Sequence, residues 1–202
     1  MGGSLFWSRA AVMPRLFFGC PVPPLASLRR LAVALQALPG RCRVEPEANW
    51  HITVKFLGQV PEDQVAPLVA VAREVAAEVT AGALELAHVG VFPTPERPRV
   101  FWVGCSADRV LEELAARLEE ACARLGWPRE TRLFTPHLTL LRLVPPVSAE
   151  FRALCATWSA TPFGQVEVPE LWLYESQPEH PGAGYRIRQR FLLAPAQHDS
   201  PG

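Results

Sequence analysis

Two short segments of the chain carry a histidine and a threonine separated by one residue. They are His51-Ile52-Thr53-Val54 and His137-Leu138-Thr139-Leu140. Because side chains alternate between the faces of a β-strand, each segment would present its imidazole and hydroxyl on one face and its aliphatic residues on the other. Two such strands side by side would bring two imidazoles and two hydroxyls together. That set suits acid–base chemistry on a phosphate, in which one group donates a proton, another accepts one, and hydroxyls hold the oxygen atoms.

A single histidine in a strand is more often a half-buried residue that is hydrogen-bonded within the sheet, and threonine is common in strands whatever its function. The repetition of both residues with the same spacing favours catalysis over that structural interpretation. Histidine suits either proton transfer because its unperturbed pKa of about 6.5 allows both protonation states near neutral pH.

The repetition extends to the elements that would position the motifs. A strand predicted at Arg15–Cys20 ends in Gly-Cys and is followed by a helix at Pro23–Leu38 and by the first motif. A strand at Arg99–Cys105 also ends in Gly-Cys and is followed by a helix at Ala107–Leu125 and by the second motif. The sequence therefore predicts a duplicated architecture with pseudo-two-fold symmetry, in which each half supplies one histidine to a cleft between the halves.

The remaining patterns add two helices and three strands. The helices are predicted at Pro61–Val79 and Ala149–Trp158, and the strands at Ala83–Val91, Val166–Glu175 and Tyr185–Leu193. Together with the repeated units they predict an α+β protein. We expect one bilobal domain over residues 13–195, with residues 1–12 and 196–202 as flexible ends and Met13 as an alternative start to Met1.

Composition restricts the class of partner. The 202 residues have no formal net charge, which argues against binding along an extended nucleic-acid duplex but allows recognition of a nucleic-acid end or a small nucleotide. Five cysteines without a C-x-x-C pattern predict neither a zinc framework nor a disulfide framework, and favour the cytoplasm. The sequence shows no signal-peptide core and no apolar run of about 20 residues that would span a membrane.

The motifs and their flanks resemble the 2H phosphoesterase superfamily, and in particular the RNA 2′,3′-cyclic phosphodiesterases that are also called 2′-5′ RNA ligases. The resemblance rests on H-x-T-x-K-F-L-G at residues 51–58 and on F-x-P-H-x-T-L at residues 134–140. Further matching stretches lie at residues 15–17, 92–93, 98–100 and 173–176, and between Tyr185 and Phe191. They cover almost the whole chain in the family's order.

The resemblance implies a bilobal fold in which two antiparallel sheets line a central cleft, with helices outside. It also implies a mechanism that uses no metal and no cofactor. His51 would be the proton donor and His137 the proton acceptor, while Thr53 and Thr139 would hold the non-bridging oxygens. The implied partner is an RNA 3′ end carrying a 2′,3′-cyclic phosphate, or a small cyclic nucleotide, and we expect the protein to be a monomer.

Three further residues are candidates for substrate binding. Arg132 matches an arginine that precedes the second motif in the family, and could contact a phosphate or the next nucleotide or remain a solvated loop residue. Lys55 would share a strand face with His51 and Thr53, where it could reach the rim of the cleft or cover a sheet edge. Phe134 could stack on a base, although an aromatic residue beside a core strand is more often part of the core.

Two other functions remain open on the sequence alone. One is a phosphodiesterase for a small cyclic phosphate of the ADP-ribose 1″,2″-cyclic phosphate type. The other is an RNA- or nucleotide-binding module without catalytic activity. The intact motifs argue against the binding module, because binding alone does not need two imidazoles on opposite sides of a phosphate.

Overall fold

The computed structural model describes residues 13–40, 42–106, 109–177 and 184–196. The flexible ends predicted from the sequence lie outside these ranges, apart from the exposed residue Ala196. Within these ranges the chain forms nine strands and four α-helices. The strands are β1 (Arg15–Pro21), β2 (Cys42–Val44), β3 (His51–Gln59), β4 (Gly82–Phe92), β5 (Val100–Cys105), β6 (His137–Leu143), β7 (Pro162–Val168), β8 (Glu170–Ser176) and β9 (Tyr185–Leu192). The helices are α1 (Ala26–Gln36), α2 (Glu62–Glu78), α3 (Arg109–Arg124) and α4 (Ala149–Trp158).

The strands form two antiparallel groups that meet at the motif strands. One group has the order β7-β4-β5-β6, with β2 paired to the C-terminal part of β6. The other group has the order β3-β1-β8-β9. Within the described residues, β3 and β6 are joined by one residue pair, Ile52 with Leu138. The α+β class and the antiparallel sheets expected from the sequence are confirmed.

The two motif strands have the same pattern of burial. Along β3 the residues Ile52, Val54, Lys55 and Leu57 are buried, and along β6 the corresponding buried residues are Leu138, Leu140, Leu141 and Leu143. Two consecutive buried residues break the alternation of a regular strand. The cause is a β-bulge, because the pairing of β1 with β3 skips Val54 and the pairing of β5 with β6 skips Leu140.

Two helices, α1 and α3, connect the two strand groups by packing across them. Although α1 follows β1 in the chain, it packs against β2 and β7 of the other group. In the same way α3 follows β5 but packs against β3 and α2, as well as against β4 of its own group. Apolar side chains on one side of α3, including Leu111, Leu114 and Leu118, are fully buried, whereas its glutamates are not. Each half of the repeat therefore completes the core of the other half.

The strand predicted at Val166–Glu175 is wrong, because that segment contains parts of two strands. It divides at Pro169, between β7 and β8, which lie at opposite sides of the sheet. Proline cannot donate the backbone hydrogen bond that a continuous strand requires. The three-residue strand β2 is not among the strands predicted from the sequence, since so short a segment carries no periodic signal.

Candidate active site

The four motif side chains line one cavity of about 600 Å³, where the two strand groups meet. His51 and Thr53 enter it from β3, and His137 and Thr139 from β6. We refer to this space as the motif cavity. Its other lining residues include Phe17, Glu45, Phe56, Phe92, Arg142 and Tyr185. The convergence expected from the two H-x-T-x segments is thus present in the structure.

Each motif histidine is anchored by the backbone in the same way. The Nδ1 of His51 lies 2.6 Å from the carbonyl oxygen of Asn49, and the Nδ1 of His137 lies 2.8 Å from that of Thr135. Since a carbonyl oxygen can only accept a hydrogen bond, each Nδ1 must carry the proton. In the neutral rings, each Nε2 is therefore left with a free lone pair, and can accept a proton.

Aromatic side chains hold the two imidazole rings. The ring of His51 lies 4.9 Å from Phe17 and 4.8 Å from Tyr185, measured between centroids, with Tyr185 edge-on. The ring of His137 lies 5.0 Å from Phe92, also edge-on, and 6.1 Å from Trp102. Such packing restricts the rotation of both imidazoles, and it removes part of their contact with water.

This burial favours the neutral form of both histidines. It lowers the pKa of His51 to about 4, against the opposing effects of the hydrogen bond to Asn49 and of the charge of Glu45, while Arg142 and His137 lower it further. The pKa of His137 is also lowered, mainly by burial and in part by Arg142. The free protein therefore holds two neutral imidazoles at neutral pH.

A buried carboxylate beside the histidines was not predicted from the sequence. Glu45 is 4% exposed, and its Oε1 accepts from Arg142 Nε at 2.7 Å and from Arg43 Nη2 at 3.0 Å. Arg142 also donates toward the hydroxyl of Tyr185 at 3.5 Å. Strict alternation would place Arg142 on the face opposite His137, and only the bulge at Leu140 turns it into the cavity. The matching H-x-T-x-x-F and H-x-T-x-x-R segments, at 51–56 and 137–142, were the available signal.

A second cavity of about 820 Å³ adjoins the first. It lies under the loop at 128–135, and we refer to it as the loop cavity. The two cavities share Thr53, Phe56, Phe92 and His137. Of the predicted substrate-binding residues, Arg132, Phe134 and Lys55 all line the loop cavity and none lines the motif cavity. Arg132 is exposed, and Phe134 is half-buried against the core.

The prediction that Lys55 shares a face with His51 and Thr53 is wrong. The bulge at Val54 turns Lys55 inward, where its side chain is 2% exposed and its Nζ lies 2.7 Å from Glu119 Oε2 on α3. A second hydrogen bond runs from Nζ to the carbonyl oxygen of Pro128 at 3.3 Å. Phe56 takes the place on the motif face that alternation had assigned to Lys55, and it is 72% exposed.

The sequence profile of the LigT-like phosphoesterases matches the chain twice, at residues 19–102 and at residues 103–185. The chain belongs to the LigT-like phosphoesterase family. The two matches divide the chain close to the boundary of the repeat, so each LigT-like segment contributes one H-x-T-x motif to the shared cavity.

Two relatives and a solved structure of a LigT protein agree with this assignment. The chain is 36% identical over 166 residues to an RNA 2′,3′-cyclic phosphodiesterase of Geobacillus stearothermophilus, covering 77% of this chain and 51% of the relative. It therefore spans about half the length of that relative. It is 35% identical over 144 residues to an RNA 2′,3′-cyclic phosphodiesterase of Archaeoglobus fulgidus, covering 70% of this chain and 78% of the relative. The crystal structure of Escherichia coli LigT with 3′-AMP superposes with a TM-score of 0.70 at 28% identity, over 90% of this chain and 98% of that one.

Two features are absent from the described residues. None of their helices is long and apolar enough to cross a bilayer. They also contain no group of three or more histidine, cysteine, aspartate or glutamate side chains arranged to hold a metal ion.

Proposed function

We propose that this LigT-like protein is an RNA 2′,3′-cyclic phosphodiesterase that opens a terminal 2′,3′-cyclic phosphate to a 2′-phosphate by metal-independent acid–base catalysis. The observation that carries the proposal is the matched anchoring of His51 and His137. Both rings donate Nδ1–H to the backbone and both line one cavity, so that two groups able to transfer protons would face one substrate. The names of the Geobacillus and Archaeoglobus relatives, and the 3′-AMP bound to Escherichia coli LigT, support a nucleotide substrate.

Hydrolysis needs one proton to be removed and one to be delivered on opposite sides of phosphorus. Neutral His137 would take a proton from the attacking water at its Nε2 as the new P–O bond forms. Protonated His51 would give its Nε2 proton to the ribose 3′-oxygen as the bond between phosphorus and that oxygen breaks. The product is a 2′-phosphate beside a free 3′-hydroxyl.

His51 must acquire a proton before it can act as the acid. Burial disfavours the imidazolium in the free protein, where the pKa of His51 is about 4. A cyclic phosphate diester carries a negative charge, and its entry into the motif cavity would stabilise the imidazolium by direct attraction. Substrate binding and the charging of His51 would then be coupled.

Thr53 and Thr139 would stabilise the charge that builds on the non-bridging oxygens. Each threonine lines the motif cavity on the same strand as one of the two histidines. Hydroxyl donors held in place before the reaction stabilise the transition state without reorganising. Arg142 adds a positive charge to the same wall, with its guanidinium oriented by buried Glu45.

The same geometry would support ligation. If the 5′-hydroxyl of a second RNA strand replaced water as the nucleophile, the same proton transfers would open the cyclic phosphate and form a 2′-5′ linkage. Detection of that linkage after incubation with a 5′-hydroxyl acceptor strand would test this extension separately from hydrolysis.

The test of the main proposal is incubation of the protein, with and without EDTA, with a short RNA ending in a 2′,3′-cyclic phosphate. The product is identified by mass and by its sensitivity to phosphatase. We expect a 2′-phosphate in both samples. A 3′-phosphate would contradict the proposed leaving oxygen, and loss of activity with EDTA would contradict metal independence.

Variants then test the two histidines. In His51→Asn and His137→Asn the new amide can still donate to the backbone carbonyl in place of Nδ1, whereas the Nε2 is lost. We expect each variant to stay folded and to lose at least about 100-fold in kcat. His88→Asn is the matched control, because His88 lines neither cavity and its φ of 51° is one that asparagine tolerates.

A further inference from the structure

The loop cavity adjoins the place where chemistry is proposed. Thr53, Phe56, Phe92 and His137 belong to the walls of both cavities. A ligand whose phosphate lies between the two histidines would therefore need to pass only these shared residues to reach the loop cavity. Its volume of about 820 Å³ falls in the range of sites that accept a drug-sized ligand or a nucleotide.

The charged side chains of the loop cavity differ in whether they are already engaged. Lys55 is bound to Glu119, and Arg129 forms an ion pair with Glu120. The carboxylate of Glu130 accepts from the backbone N–H groups of Thr131 and Arg132. Among the described residues, the guanidinium of Arg132 has no hydrogen-bond or ion-pair partner. It is therefore the cation of this cavity that remains available for an anion.

The apolar residues around Arg132 are unusually accessible. Phe56 is 72% exposed, Leu133 is 90% exposed, and Phe134 offers a half-buried ring on the same cavity wall. Large apolar side chains exposed beside an unpaired guanidinium are a poor arrangement for a surface in contact only with water. They suit a ligand that combines a flat apolar ring with a negative charge, as a nucleotide does.

We propose that the loop cavity binds the nucleotide preceding the one that carries the cyclic phosphate, with its phosphodiester on Arg132 and its base against Phe56. The inference rests on the proposed function and adds to it a binding site for the second nucleotide of the RNA end. A mononucleotide fills only the motif cavity. A dinucleotide also fills the loop cavity, and gains one charge contact and one stacking contact.

The test compares three substrates that share the same terminal nucleoside 2′,3′-cyclic phosphate. The first is the mononucleotide, the second is a dinucleotide, and the third is the same dinucleotide with a neutral methylphosphonate in place of its internal phosphate. We expect kcat/KM for the dinucleotide to exceed that of the mononucleotide by at least about tenfold at low salt. The methylphosphonate substrate should lose most of that advantage.

Arg132→Ala and Arg129→Ala form a matched pair of variants from one loop. Arg132→Ala should reduce the dinucleotide preference to about the level of the methylphosphonate substrate, and should add little further loss on that substrate, because both changes remove the same contact. Arg129→Ala should retain the preference, since Glu120 already engages its guanidinium. The dinucleotide rate should also depend more steeply on salt than the mononucleotide rate, and Arg132→Ala should remove that difference.

The outcomes separate this inference from the proposed function. Equal kcat/KM values for the mononucleotide and the dinucleotide would overturn the second binding site and leave the proposed phosphodiesterase function intact. A dinucleotide preference that survives in Arg132→Ala would overturn the assignment of Arg132. If neither substrate were opened by the folded protein, the proposed function itself would fail, and this inference with it.

Discussion

Ile52 and Leu138 pair across the junction of β3 and β6, and they are the middle residues of the two H-x-T segments. Because the strands run antiparallel, this register places His51 toward Thr139 and Thr53 toward His137. The lining of the loop cavity agrees with it, since Thr53 and His137 contribute to that wall whereas His51 and Thr139 do not. Each proposed proton-transfer group thus has the hydroxyl of the other repeat as its neighbour.

The pH dependence of catalysis follows from the lowered histidine pKa values. The active form has one imidazole protonated and one neutral. Because burial lowers the pKa of both rings in the free protein, kcat/KM should peak below pH 6.5. The bound phosphate raises the pKa of the acid, so the kcat profile should lie at higher pH. Steady-state rates between pH 4 and 9 would measure both profiles, and a kcat/KM maximum above pH 7 would contradict the assignment.

Stability toward acid should depend on His51. Its folded-state pKa of about 4 lies below the usual value of about 6.5 in an unfolded chain. As pH falls from 6.5 to 4, the unfolded state binds a proton that the folded state does not, so stability is lost in that window. Above pH 6.5 both states hold His51 neutral, and its titration no longer changes the stability. The loss amounts to at most about 3 kcal/mol, since the ring is partly accessible to solvent.

Urea unfolding of His51→Asn at pH 7 and at pH 4.5 would isolate this effect. Other titrating groups are common to both proteins and cancel in the comparison. The unfolding free energy of the variant should fall less between the two pH values than that of the unaltered protein. Equal losses would mean that His51 titrates normally.

Removing either threonine hydroxyl should slow the chemical step without unfolding the protein. Thr53→Val and Thr139→Val keep the shape of the side chain but lose the donor, and we expect each to lower kcat by about 100-fold. Thr157→Val is the matched control, because the hydroxyl of Thr157 donates to Ala153 on exposed helix α4. A comparable loss in the control would point to a general defect instead.

Gly19 should be required for the position of His51. A Cβ atom added at this residue would lie 2.9 Å from the carbonyl oxygen of Ile52 and 3.3 Å from Cδ2 of His51. The backbone oxygen cannot easily move, so Gly19→Ala should shift β3 and displace the imidazole, with a loss of about 10- to 100-fold in kcat/KM. In Gly82→Ala the new methyl group meets Val110 at an ordinary distance of 3.5 Å, and activity should be retained.

Removing Glu119 and removing Lys55 should reduce the stability of the protein by different amounts, although the two residues form one ion pair. Lys55 is almost fully buried, whereas Glu119 is 21% exposed. Glu119→Ala leaves the buried ammonium without its counter-charge and should cost about 3 kcal/mol. Lys55→Met leaves only the more accessible carboxylate and should cost about 1 kcal/mol. Denaturant unfolding would measure the free energy of unfolding of both variants, and a larger loss for Lys55→Met would contradict this prediction.

The sequence was sufficient to predict the repeat, the α+β class and the convergence of the two motifs. Alternation with a period of two predicts that His51 and Thr53 share a face, and the duplicated segments indicate that two such faces meet. Alternation fails after the fourth residue of each motif, because a bulge adds one residue to the strand. That is why Lys55 was predicted on the motif face instead of Phe56, and why Arg142 was missed.

Other features depend on contacts between distant segments, which a single sequence does not specify. The burial of Glu45 results from the meeting of β2 and β6, and its two arginine partners come from different strands. The engagement of Lys55 by Glu119 likewise depends on α3 crossing to β3. Pro169 was visible in the sequence, but its position between strands of opposite groups was not.

The exchange of α1 and α3 between the strand groups has a consequence for how such a chain could arise. A polypeptide with a single repeat would lack the helix that the other repeat supplies to its strands. It could bury that surface by lending its helix to a second copy and accepting one in return. Such a dimer would have a two-fold axis through its one shared cleft, with a histidine from each subunit. Fusion of two copies would keep the cleft and free each half to change alone, so that one could gain Phe56 where the other has Arg142.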